Sequence, residues 1–247
     1  MNYIYIANWK MNLSFNQSIS FCTQHSTALQ QLAHNNATII ICPSFVALAS
    51  VAELFKKSSI AVGAQNCSHY EQGAYTGEVS AQSLAQAGAT YCIIGHSERR
   101  TYFNETNTII AQKTTLLMAH AIQPIICIGE TKTDFESKKV HAILTQQLEP
   151  LFTAIQRSVI TIPLIIAYEP VWSIGTGIIP EYSYLKNIFG WLKETITHNL
   201  PNHKVHLIYG GSVNPTNSIE LKKIPFIEGF LIGSASTNFN EFADIIT

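Results

Sequence analysis

The chain has 247 residues, 47% hydrophobic and 13% charged, with a formal net charge of -1. That length and apolar content suit one large core, and the near-neutral charge without a basic run argues against nucleic acid as a partner. No apolar stretch reaches the roughly 18 residues of a membrane span, so no membrane partner is expected and any anion site must be local.

The first apolar run, Tyr3 to Ala7, ends in Asn8-Trp9-Lys10. It is too brief for a signal peptide and no small-residue cleavage site follows, so a cytoplasmic protein is expected. Further strand-like runs follow at Thr38 to Cys42, Ala61 to Ala64, Tyr91 to Ile94, Gln123 to Cys127, Leu164 to Tyr168, His206 to Tyr209 and Gly229 to Ile232. Between and after them, apolar residues at three- and four-residue spacing predict helices. These cover Phe15 to Ala33, Val46 to Lys56, Ser80 to Ala87, Thr106 to Ala121, Phe135 to Phe152, Tyr182 to Asn199, Asn217 to Lys223 and Asn240 to Ile246. Strict alternation demands parallel strands with right-handed crossovers, and eight such units close into a barrel. Residues 1–247 are therefore read as a single (β/α)8 barrel domain, α/β in class, with its active site at the C-terminal face. The alternative, an open doubly wound sheet, would carry a glycine-rich phosphate turn after its first strand, and Asn8-Trp9-Lys10 has no glycine.

The five cysteines are an odd number without metal-ligand spacing, and they read as free thiols in the core. His203 and His206 flank the start of a strand without an acidic or cysteine partner in the pattern, and read as structural or solvated.

In a barrel the residues just after each strand converge on one mouth. Here these are Asn8 and Lys10 after the first strand, Gly95-His96-Ser97-Glu98-Arg99-Arg100 after the fourth, and Glu169 after the sixth. Gly210-Gly211-Ser212 follow the seventh and Gly233-Ser234 the eighth. They bring a cation, an imidazole, a carboxylate and two phosphate-sized glycine turns to one place. Behind Glu169, Pro170 stiffens the strand exit, Val171-Trp172 form a bulky body, and Gly175-Thr176-Gly177 give a hinge, the pattern of a loop that moves as a unit.

Asn8-Trp9-Lys10, Gly95 through Arg100, Cys127-Ile128-Gly129-Glu130, Ala167 through Gly177 and Tyr209-Gly210-Gly211-Ser212-Val213 resemble the motifs of the triosephosphate isomerase family in order and spacing. The resemblance implies interconversion of dihydroxyacetone phosphate and D-glyceraldehyde 3-phosphate through an enediolate, a step of glycolysis and gluconeogenesis that needs no cofactor and no metal. It implies Glu169 as the base, His96 and Lys10 as donors to the developing oxyanion with Asn8 assisting, and Glu98 as a positioning group. Ser97 is read as the cap of a short helix whose positive end disfavours imidazolium at His96. Phosphate is expected on Lys10 and on backbone N–H groups of Gly175, Ser212, Gly233 and Ser234. Tyr209 and Ser212 are expected to latch the closed lid, and Glu130 to accept from the Trp172 indole, which can only donate. The loop from Gln65 to Glu78 matches one that in the family enters a second subunit, placing Thr76 beside the neighbour's mouth, so a homodimer is expected.

The sequence departs from the family at the lid's far hinge, Ile178-Ile179-Pro180, at Ser173, at Ser234 where a second glycine is usual, and across Lys132 to Lys139. Two other readings stand beside the isomerase. A metal-dependent sugar-phosphate epimerase would need ligands at several strand ends, which Cys42-Pro43-Ser44 and the other mouth residues do not supply. A barrel serving only as a scaffold would have no use for Lys10, His96 and Glu169 together.

Overall fold

Apolar runs without alternation arise when a strand is covered on both faces, by a barrel interior on one side and by helices on the other. The computed structural model describes residues 2–35, 37–158, 160, 162–175 and 179–247. Its strands are β1 (Tyr3–Asn8), β2 (Ala37–Cys42), β3 (Ala61–Ala64), β4 (Tyr91–Ile94), β5 (Gln123–Ile128), β6 (Leu164–Tyr168), β7 (Val205–Tyr209) and β8 (Gly229–Ile232). They pair in parallel in chain order, and β8 returns to β1 to close the barrel. Ile4, Ile6, Ile40, Ile93, Ile125, Ile165, Ile208 and Leu231 fill the interior with Cys42 and Cys127. Their strand neighbours, such as Tyr5, Ile39, Ile41, Ile94, Ile126 and Ile166, pack outward into the larger cluster beneath the helices. All five cysteines are buried and free.

The helices are α1 (Phe15–His34), α2 (Phe45–Phe55), α3 (Ala81–Gln86), α4 (Ser97–Tyr102), α5 (Asn107–Ala119), α6 (Lys132–Glu136), α7 (Val140–Gln156), α8 (Tyr182–Asn199), α9 (Pro215–Leu221) and α10 (Phe239–Ile246). Among the described residues no helix is long and apolar enough to cross a membrane.

The expected helix Phe135 to Phe152 is two helices. Thr131 and Asp134 form a capping box that starts α6 earlier, and Lys138 takes φ 57, a left-handed conformation that no helix continues through. Pro150 lies inside α7. It lacks the N–H that would bond the carbonyl of Gln146, and Asn107 donates to that carbonyl instead at 3.0 Å. Asn107 in turn accepts from Arg100 at 2.6 Å, and Arg100 donates to the carbonyls of Gly95 and Cys127, fixing the exits of β4 and β5 together. His206 does have an acidic partner, Glu228, 2.5 Å away at the start of the neighbouring strand. The two stand far apart in sequence, so local pattern cannot reveal the pair. Burial pushes the Glu228 carboxyl up, but the His206 bond and charge outweigh it and hold the group below its ordinary value.

The closing seam is tightly packed. A Cβ at Gly229 would lie 2.0 Å from the carbonyl oxygen of Ile4, so β1 and β8 would have to part to admit any side chain. Overpacking of this kind costs about 1–3 kcal/mol, and Gly229→Ala is expected to lower the melting temperature by several degrees. Calorimetry checks this, and an unchanged melting temperature would mean that the seam is looser than described.

Candidate active site

The C-terminal strand ends surround a cavity of about 470 Å³. Asn8, Lys10, His96, Glu169, Gly175, Ser212, Gly233 and Ser234 line it, as do Asn12, Asn214 and Glu241, for which the sequence carried no signal. Glu98, Glu130, Pro170, Trp172 and Tyr209 lie outside this lining, and Thr76 is exposed on the loop after β3. A second cavity, of about 500 Å³, opens at the opposite end between α2, α3 and the start of β3. Its charged groups, Glu53 and Lys56, pair with each other at 3.2 Å.

Lys10 leaves β1 with φ 51. Its ammonium donates to Glu98 Oε1 at 2.6 Å, and its backbone N–H donates to Asn8 Oδ1 at 3.2 Å. Among the described residues it is the one Lys or Arg lining the cavity, so an anion there meets its full positive charge.

His96 caps α4, in place of the expected Ser97. Its Nδ1 accepts the backbone N–H of Glu98 at 3.3 Å. A ring nitrogen that accepts leaves the other to carry the proton, so Nε2–H is the donor available to the cavity. Ser97 is the first helical residue, and its backbone N–H donates to Glu169 Oε2 at 3.1 Å. Glu169 Oε1 lies 3.2 Å from His96 Nε2. The angles there do not make a hydrogen bond, and this oxygen is buried without a hydrogen-bond partner among the described residues.

The glycines around Glu169 leave space that a side chain would fill. A Cβ at Gly210 would come within 2.9 Å of Glu169 Cγ, and one at Gly129 within 1.7 Å of its carbonyl oxygen. At Gly211 a Cβ would fall 2.1 Å from the Tyr209 hydroxyl. Burial pushes that hydroxyl's pKa up to about 12, so it is a neutral phenol facing Ser173 Oγ at 3.4 Å. Ser212 Oγ donates to the Ser173 carbonyl at 2.6 Å. Both expected latch residues therefore touch the lid's first turn, Val171–Ser173, which Pro170 begins.

Glu130 is fully buried behind the lid. Burial pushes its carboxyl up, opposed by the Trp172 Nε1–H donating to Oε1 at 2.7 Å, the Tyr168 hydroxyl donating between Oε2 at 3.0 Å and Oε1 at 3.1 Å, and the Tyr184 hydroxyl donating to Oε1 at 3.1 Å. Gly175 takes φ 69 with open space where a Cβ would stand, so conformation alone calls for glycine there. Thr176, Gly177 and Ile178 lie outside the described residues.

The family profile for triosephosphate isomerase matches residues 3–247. The chain belongs to the triosephosphate isomerase family. Triosephosphate isomerases of Bacteroides fragilis and Phocaeicola vulgatus are each 38% identical to it over 246 residues, covering 98% of this chain and 97% of the relative. That of Psychrobacter arcticus is 39% identical over 260 residues, covering 98% and 96%.

Against the pattern usual for triosephosphate isomerases, Ser234 is the departure nearest the cavity. It starts the short turn Ser234–Thr237 and is not among the residues with positive φ, so its Cβ carries no left-handed strain. Of the far-hinge departures, Ile179 and Pro180 border a small apolar groove with Leu185, Leu221 and Ile224, away from the cavity. Among the described residues no group of three or more His, Cys, Asp or Glu is arranged to hold a metal ion.

Proposed function

We propose that the chain interconverts dihydroxyacetone phosphate and D-glyceraldehyde 3-phosphate by moving a proton between adjacent carbons. The observation that carries the reading is a buried carboxylate oxygen of Glu169, without a hydrogen bond among the described residues, 3.2 Å from His96 Nε2 in a cavity that Lys10 also lines. Glu169 takes the proton from the carbon beside the carbonyl, and the electron pair left behind forms the enediolate. Negative charge then grows on the carbonyl oxygen, where His96 Nε2–H and the Lys10 ammonium meet it; a preorganised donor of this kind contributes about 3 kcal/mol. The same carboxyl returns the proton to the neighbouring carbon. Meanwhile the hydroxyl proton passes from one enediolate oxygen to the other beside His96, so the electron pairs stay within the substrate and the reaction needs no cofactor. Glu98 holds the Lys10 ammonium in reserve. Phosphate rests on Lys10 and on the N–H groups of Gly175, Ser212, Gly233 and Ser234. Closure of the segment from Pro170 excludes water while the intermediate exists.

The working form is a cytoplasmic homodimer. Support comes from the apolar side chains left exposed in the segments that follow β1, β2 and β4, including the first turn of α2 and the end of α4, and at the tip of the loop after β3. Met11 is 94% exposed, Val46 75% and Tyr102 75%, and Phe45, Tyr75 and Phe103 lie open as well. The loop carrying Thr76 is braced by Tyr70 and Tyr75, whose rings stack at 3.6 Å and 5°, so it is shaped to enter a partner without folding first.

An assay coupled to glyceraldehyde 3-phosphate formation tests the reaction. Glu169→Asp withdraws the base by about 1 Å and should lower turnover on the order of 10²-fold with little change in KM, whereas Lys10→Ala should raise KM as well. Turnover of Glu169→Asp within about threefold of wild type would remove Glu169 from the role of base.

Thr76→Glu should weaken the dimer and lower activity per chain, because it buries a charge without a partner. Sedimentation and an activity dilution series read this out. A fully active monomeric wild type would overturn the dimer.

A further inference from the structure

Lys10 stands in a backbone conformation, φ 51, that a residue other than glycine, asparagine or aspartate seldom adopts. Such a conformation persists only where its surroundings enforce it. On the amino side, Trp9 N–H donates to the Cys42 carbonyl at 3.2 Å and the Trp9 indole donates to the Ser236 carbonyl at 3.0 Å. On the carboxyl side the restraint comes from Gln65, the first residue beyond β3. Its Nε2 donates to the Lys10 carbonyl at 2.8 Å and to the Cys42 carbonyl at 2.9 Å. One carboxamide thus ties the carbonyl after the end of β1 to the carbonyl at the end of β2, using both of its N–H groups. A glutamate of the same length could not do this, because an ionised carboxylate only accepts.

We infer that Gln65 is a positioning residue for Lys10. It does not line the cavity. It holds the strained main chain from which the ammonium is presented to the cavity, and without it the Lys10 segment relaxes toward an ordinary backbone angle and carries Nζ away from the anion. The inference rests on the proposed function in that it gives Lys10 a substrate to meet.

The test is a double-mutant cycle of Gln65→Met, which keeps the length and removes both donors, with Lys10→Ala. Two readouts are taken: isomerisation of dihydroxyacetone phosphate, and calorimetric titration with inorganic phosphate. Gln65→Met should lower kcat/KM by about tenfold or more, chiefly through KM, and weaken phosphate in parallel, as a small misplacement of a binding group does. On the Lys10→Ala background the same change should cost less than about twofold, since its route to the substrate is already gone. Equal losses on both backgrounds would make Gln65 merely structural, and no loss on the wild-type background would overturn the inference. Should Gln65→Met not fold, Gln65→Asn withdraws the amide by one methylene and is read by the same criteria. A wild type that binds phosphate but does not isomerise defeats the proposed function, while the phosphate cycle still decides the role of Gln65.

Discussion

A carboxylate buried where β6 ends is the constraint on which the rest of the mouth depends. Taking an ion out of water costs several kcal/mol even after the protein relaxes. Glu169 recovers part of that through the Ser97 N–H and the nearby His96 ring. Its other oxygen is left without a hydrogen bond, and an acceptor in that state is one a substrate proton can satisfy. The seat exists because Gly129 and Gly210 carry no side chain: a Cβ on either would overlap Glu169 itself.

Holding that seat takes a chain of contacts running well away from the cavity. Pro150 frees a carbonyl in α7, Asn107 satisfies it, and Arg100 joins Asn107 to the exits of β4 and β5. Those exits carry His96 on one side and Gly129 on the other. The lid is tied to the same frame, because the carbonyl and hydroxyl of Ser173 meet Ser212 just beyond β7 and Tyr209 at its end. The same barrel frame thus holds His96 and the first turn after Glu169.

The strands were legible because burial on both faces leaves unbroken apolar runs, and the chemistry was legible because strand ends in a barrel share one mouth. What escaped depends on contacts between residues far apart in sequence or on single backbone angles. The α6–α7 break turns on the left-handed Lys138, which a polar, lysine-rich stretch does not announce. Glu228 meets His206 only because β7 and β8 are neighbours. The pair Gly210-Gly211 reads as a phosphate turn and lines the cavity, and the pattern does not announce that the space it leaves also admits Glu169 and the Tyr209 hydroxyl. His96 took the capping place assigned to Ser97, since an imidazole nitrogen can accept a backbone N–H as a serine oxygen does. Asn12, Asn214 and Glu241 line the cavity without any motif, through geometry alone.

The central claim is that Glu169 carries the substrate's proton, and a proton resting on a carboxyl group exchanges with solvent. Incubating the enzyme with dihydroxyacetone phosphate in deuterium oxide and following both trioses by NMR tests it most directly. The account predicts deuterium on the carbons that lose and regain the proton, with exchange and isomerisation lost together in Glu169→Gln. Isomerisation that leaves no deuterium in either triose, or exchange that survives in Glu169→Gln, would contradict it.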